Sequence, residues 1–238
     1  MVSYEIFARF YDAVQGDRAE HARYLRSLIE KHHPKAKSVH ELACGTGSVL
    51  KQLQRRYRVT GLDRSEKMLE LAAVKVPKAR LVHGDMRRFR LAGAFDVVLC
   101  VYDSINHLLT FEEWEAVFDR AHEHLNDGGI FVFDINTERQ LATFIAQPPW
   151  THRFGDNDLV LIDVSDGGDG VSVWGIRVFE HLGNATYRLH SEDIREVSFP
   201  VERIGTSLST RYRRVWTYDA GRARPSSRSE RLHFVCRR

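Results

Sequence analysis

Val97-Val98-Leu99-Cys100-Val101 and Ile130-Phe131-Val132-Phe133 leave no polar side for water. A strand made of either must be covered on both faces, the condition of a mostly parallel sheet held between two layers of helices. The surrounding chain alternates as such a sheet requires. Residues 38–42, 58–62, 80–82, 95–101 and 130–135 read as five successive strands, with helices at 47–56, 65–76 and 111–125 between them. Ser65 caps the second of these helices and Pro77 halts it. Thr110 caps the third, with Glu113 at its third position and Gly128-Gly129 just past its end.

Two further helices precede the alternation. One is expected from residue 3 to about 14; the other is capped by Asp17, with Glu20 three residues on, and stops before Pro34. Past Pro148-Pro149 the period changes. Residues 159–165, 171–181 and 186–197 alternate apolar and polar side chains between Gly-rich turns, the pattern of an antiparallel meander. Residues 214–218 and 231–235 then supply two more strands, while Pro200, Gly205 and many Ser and Thr make 199–212 a short or irregular helix. The expected fold is α/β: a doubly wound, mostly parallel seven-stranded sheet with an antiparallel β insertion after the fifth strand.

Chemistry concentrates at the strand ends. Glu41-Leu42-Ala43-Cys44-Gly45-Thr46-Gly47 closes the first strand and opens the first crossover helix, the edge where open α/β sheets bind ligands. Gly45 and Gly47 permit a tight turn and a close backbone approach. The ligand is not a dinucleotide: Leu50 stands where the third glycine of GxGxxG belongs, and Glu41 would repel a pyrophosphate. An ammonium or sulfonium would be attracted instead. Asp63, ending the second strand, is placed to accept from both hydroxyls of a ribose, and Asp85, after the third, from an adenine amino group, with Met86 beside it.

The segments ELACGTG, GLDRSEKML, VHGDM, FDVVLC and LNDGGIFVFDIN, across residues 37–137, together resemble the class I S-adenosylmethionine-dependent methyltransferases. Tyr11-Asp12 in an N-terminal helix, and antiparallel strands after the fifth, are similar to the sugar-amine and glycine-type N-methyltransferases within that family. The resemblance implies S-adenosyl-L-methionine as cofactor, its methionine part held by Glu41 and the glycine loop, its ribose by Asp63, its adenine by Asp85 and Met86. Ala43, Arg64, Met68 and Cys100 complete the expected cofactor-binding set. It also divides a single methyltransferase domain into a helical lid (1–36), a cofactor-binding core (37–147), the insertion (148–198) and the last strands (199–238).

By the same resemblance the acceptor sits above Tyr102-Asp103-Ser104-Ile105-Asn106-His107-Leu108. Asp103 and His107 are candidates to orient or deprotonate it, imidazole being suited to proton transfer near neutrality; capping or packing at the next helix is the alternative for His107. Tyr4, Phe7 and Tyr11 share a helical face, as core or as lid, and Tyr11 is the expected lid residue. Trp150, His152, Trp174, Arg177, His181, Tyr187 and His190 are candidates for the acceptor pocket. N-methylation of a small-molecule amine leads, with O-methylation of a metabolite, or methylation of nucleic acid by the Arg-rich C-terminal region, as alternatives.

Composition bounds the partners. The chain has 238 residues, 43% of them hydrophobic, enough for a full core, and a net charge of +3. Ten arginines between Arg203 and Arg238 crowd the C-terminal part without the interleaved aromatic residues of a base-stacking surface, so nucleic acid is not an expected partner. No segment reads as an export signal or membrane span, and a cytoplasmic monomer or homodimer is expected. Cys44, Cys100 and Cys236 are too scattered for a disulfide framework. His122 and His124, two apart on a helix, face different ways, so no metal constellation is evident.

Overall fold

A computed structural model describes residues 4–16 and 18–238. The expected helix start at Ser3 and cap at Asp17 fall outside the described residues. Eleven strands and seven α-helices are arranged as two sheets among these residues. Strands β1 (Ser38–Leu42), β2 (Arg58–Asp63), β3 (Arg80–His83), β4 (Phe95–Cys100) and β5 (Leu125–Asn136) are parallel. Strand β11 (Arg231–Arg237) runs antiparallel beside β5, and β10 (Arg214–Tyr218) lies outside β11, giving the order β10-β11-β5-β4-β1-β2-β3.

Alternation along the strands explains the two helical layers. Ile130 and Val132 pack with Val97, Leu99 and Val235 against α2 (Ala19–His32), α3 (Ser48–Leu53) and α4 (Glu66–Lys75). Phe131 and Phe133 pack on the other face with Phe234 against α5 (Phe111–Glu123) and α7 (Val201–Ser209). Thr110 and Glu113 form the reciprocal cap of α5. The glycines expected just past α5 lie inside β5, which begins at Leu125 and shifts register opposite Phe95 and Val97. Helix α7 is a regular nine-residue helix rather than the irregular one expected. Pro200 occupies its N-cap, where a missing N–H costs nothing, and Gly205 meets only open space, while Ile204 and Leu208 are buried.

The insertion is a four-stranded antiparallel sheet of β6 (Trp150–Phe154), β7 (Asp158–Asp166), β8 (Val171–Gly183) and β9 (Thr186–Val197). Its first strand and the preceding α6 (Glu138–Ala146), capped by Thr137, went unread in the sequence. Helix α1 (Ala8–Gln15) closes the gap between the two sheets: Phe7 and Phe10 are buried against Phe154, Val160, Ile176, Val178 and Ile194. The N-terminal segment is thus anchored to the insertion, over the ends of the parallel strands.

Candidate active site

Chain order reverses between β1 and β4, which are neighbours, so the crevice beyond their carboxyl ends is the sheet's switch point. The loop after β1 turns back sharply, with Ala43, Gly45 and Gly47 all at positive φ (51°, 53° and 75°). A Cβ on Gly45 would meet nothing within 4 Å, so this residue opens onto the crevice. Gly47 serves another purpose: a Cβ there would stand 3.2 Å from Ala72 and Val76, and its absence lets the loop settle on α4.

Asp63 ties the crevice together. Its Oδ2 accepts from the Gly45 N–H at 2.8 Å and its Oδ1 from the Ser65 N–H at 2.9 Å. Burial nevertheless raises its pKa, those backbone donors acting against the shift. Glu41 lies deeper, 3% exposed, with an Oε2 that has no protein hydrogen-bond partner; burial and the nearby Asp63 push its pKa well up. An orphaned buried carboxylate oxygen, a second carboxylate and a glycine open to the crevice fit a ligand carrying a cation and a ribose. Ala43, Arg64, Met68, Asp85 and Met86 line the crevice as well. Gly47, Cys100 and the buried Glu41 do not: Cys100 is buried behind Met86, its Sγ 3.9 Å from the thioether. The Asp85 carboxylate is occupied by Arg87, whose Nε lies 2.9 Å from Oδ1, and this guanidinium holds the Asp85 pKa down. Arg87 is held in turn by Glu113.

Asp12 explains the value of the Tyr-Asp pair in α1. Its Oδ1 accepts from Thr46 (2.6 Å) and Ser48 (3.0 Å), and its Oδ2 from Lys75 (2.6 Å), so α1 is clipped to the glycine loop. Tyr11 stands between the crevice and a second cavity of about 510 Å³ and lines both, as do Tyr4 and Tyr102. Burial raises the Tyr11 pKa to about 12, so its phenol stays protonated.

The second cavity has aromatic walls, among them Phe144, Trp150 and Trp174, and an acidic end formed by Asp103 and Glu196. Tyr102 and Asp103 both take left-handed backbone conformations, at φ 58° and 51°, which turns the chain under the cavity. Ligating atoms of Asp103, His107 and Glu196 all lie within 4.8 Å of one another. His107 Nδ1 faces the Arg195 carbonyl at 3.3 Å, and a carbonyl only accepts, so the proton belongs on Nδ1. Nε2 is left to accept from the Tyr4 hydroxyl at 3.0 Å. Burial lowers the His107 pKa, so the imidazole rests neutral. Asp103 pairs with Arg231, which also grips Asp134 and the Asn136 Oδ1 (3.0 Å).

Of the insertion's candidates, Trp150, His152 and Trp174 line the cavity. Arg177 pairs with Asp193, His190 with Glu180, and His181 packs against Tyr187 away from it. The arginine-rich segment is dispersed as well: Arg211 pairs with Asp119, Arg203 lies over Phe111, and Arg231 turns inward, partly buried between Asp103 and Asp134. Glu196, Asn136 and Arg231 are the polar groups the sequence did not reveal, since each comes from a strand end without a local motif. Among the described residues two triads, Asp103–His107–Glu196 and His21–Asp134–His233, each bring three potential ligating atoms within 4.8 Å of one another. Their members are scattered in sequence, and only the fold joins them.

Burial and the neighbouring Asp103 push the Glu196 pKa well above its ordinary 4.5. A carboxyl whose folded pKa is raised favours folding fully below the unfolded value and loses that advantage as pH rises through the folded one. Glu196→Gln has no proton to lose, so its melting temperature should rise relative to wild type as pH increases from about 4.5. Thermal melts of both proteins from pH 4 to 9 check this; a pH-independent difference would contradict the assignment.

A doubly wound sheet of this order, with an acid-tipped glycine loop at the switch point and an antiparallel insertion beside it, defines a Rossmann-like methyltransferase class. The methyltransferase-domain family profile matches residues 39–129. A candidate methyltransferase of Bacillus subtilis (strain 168), YqeM, is 31% identical over 97% of this chain and 95% of its own. The dTDP-3-amino-3,6-dideoxy-alpha-D-glucopyranose N,N-dimethyltransferase of Streptomyces fradiae is 39% identical, but the match spans about half of each chain, 53% of this one and 52% of that one. An S-adenosylmethionine-dependent methyltransferase from Clostridium acetobutylicum ATCC 824 shares the fold at a TM-score of 0.85, with 22% identity over 97% of both chains. The chain belongs to the class I S-adenosylmethionine-dependent methyltransferases.

No helix among the described residues is long and apolar enough to cross a membrane.

Proposed function

We propose that this chain is a cytoplasmic enzyme that moves the methyl group of S-adenosylmethionine onto the amine nitrogen of a small, sugar-like acceptor. In this reading residues 1–36 are the lid and 148–198 shape the acceptor cavity of a single domain. The observation that carries it is the acidic end of the aromatic cavity, Asp103 and Glu196 beside a neutral His107, adjoining the cofactor crevice. Carboxylates and aromatic faces both attract an ammonium group, and rings such as Trp150 and Trp174 also suit the apolar face of a sugar. The N,N-dimethyltransferase relative supports an amino group as the target.

Bound S-adenosylmethionine supplies a methyl group activated by its sulfonium. An amine accepts it only through a free lone pair, so an ammonium must first give up a proton. The Asp103 carboxylate, fixed by Arg231, and the aromatic rings draw the ammonium to the boundary of the two cavities, where Glu196, which burial and Asp103 make slow to give up its proton, lies beside them. His107 Nε2 takes its proton as the Tyr4 hydroxyl that donates to it turns aside, while Nδ1 donates to the Arg195 carbonyl and so keeps the ring in one tautomer. Tyr4 and Tyr11 exclude water and hold the reacting atoms in line.

Incubation with methyl-labelled cofactor and an amino-sugar nucleotide such as dTDP-3-amino-3,6-dideoxyglucose should yield an N-methylated product. His107→Gln should lower kcat by roughly 10²–10³-fold with cofactor affinity retained. Products methylated only on oxygen, across a library of amines, would refute the reading.

A further inference from the structure

Behind the acceptor cavity, on the α2 side of the sheet, lies a second cluster that the proposed reaction does not use. His233 and Asp134 stand directly opposite one another in the β5–β11 pair, and His21 reaches over them from α2, its ring 5.5 Å from that of His233. One ligating atom from each of the three lies within 4.8 Å of the others. Asp134 is 0% and His233 1% exposed. Four buried polar atoms here have no protein hydrogen-bond partner: His21 Nε2, Asp134 Oδ1, and both ring nitrogens of His233. Leaving so many buried polar atoms unsatisfied in one place is costly unless a ligand completes them.

We infer that His21, Asp134 and His233 form a binding site for a divalent transition-metal ion of the zinc type. Two imidazoles and one carboxylate make a donor set that favours zinc, cobalt or nickel over calcium or magnesium, which prefer oxygen throughout. Ligands about 2.1 Å from zinc stand roughly 3.4 Å apart in a tetrahedron, so rotamer adjustments suffice to close the site. Asp134 is already oriented through its other oxygen, Oδ2, by Arg231, a supporting arrangement common around metal ligands. Tyr102, which lines both cavities, packs against His21 with ring centroids 4.3 Å apart. The ion would therefore staple α2, and with it the lid, to the two strands that carry Asp134 and His233.

The test is a titration of the untagged, chelator-treated full chain with Co2+ and then Zn2+. One equivalent of Co2+ should give visible absorption of a four- or five-coordinate ion, displaced by Zn2+. The melting temperature should rise by roughly 5–10 °C at a hundredfold excess over Kd. His21→Gln, at a partly exposed helical position, and Asp134→Asn should each lose the absorption and the shift, with folding checked by circular dichroism. Absence of any absorption and shift in wild type overturns the proposal. So does binding that survives His21→Gln, or binding abolished by Glu196→Gln instead, which would place the ion on the other triad.

Discussion

Asp63→Ala should weaken S-adenosylmethionine binding by at least roughly 100-fold, the largest effect expected of any single change in the crevice. The carboxylate is the acceptor proposed for both ribose hydroxyls. Hydrogen bonds to a charged group contribute about 1.5–3 kcal/mol each, so losing two corresponds to some 10²–10⁴ in Kd. The apo protein should suffer as well. The Gly45 and Ser65 N–H groups that Asp63 now receives would be left without partners, and each unsatisfied donor costs about 1–3 kcal/mol. Calorimetry on wild type, Asp63→Ala and Asp63→Asn, with parallel thermal melts, separates the two effects. The Asn variant can still accept one backbone N–H and should recover part of the stability with little of the affinity. Cofactor binding that persists in Asp63→Ala would show that the glycine loop holds the ligand in another pose.

What could be read in advance follows from how local each signal is. The five parallel strands and Asp63 were legible because strand ends, caps and glycine turns are written within a few consecutive residues. Boundaries moved where a tertiary contact decided them: β5 extends back to Leu125 because it pairs there with Phe95, which no propensity in LNDGG announces. Helix α7 formed despite Pro200 and Gly205 because both occupy positions that tolerate them, while Ile204 and Leu208 bury against the sheet. In the site, Asp103 and His107 were visible from their place after β4. Glu196 and Arg231 were not, since they come from β9 and β11 and meet Asp103 only after the insertion folds back. Gly47 was found for a reason the structure revises, since it spaces a loop from a helix and leaves the crevice to Gly45.

Arg231 is where that gap has the largest energetic consequence. Within the sequence it is one of ten arginines in a crowded C-terminal region, a side chain to be expected in water. In the folded chain it is partly buried between Asp103 and Asp134, and both carboxylates hold it firmly protonated. Arg231→Met preserves the aliphatic bulk and removes the charge, leaving two carboxylates without their cation. Breaking a buried pair by deleting one partner costs about 3–5 kcal/mol, because the other charge stays in a low-dielectric site. For a chain of this size that corresponds to a fall in melting temperature of roughly 6–20 °C. The double variant Arg231→Met with Asp134→Asn removes one of the stranded charges and should regain a measurable part of the loss. Replacing the more exposed Arg203, which lies over the Phe111 ring, should change stability by no more than about 1 kcal/mol. Equal, small shifts for Arg203→Met and Arg231→Met in the same melts would mean that Arg231 is solvated in solution, and that Asp103 is positioned by something other than this ion pair.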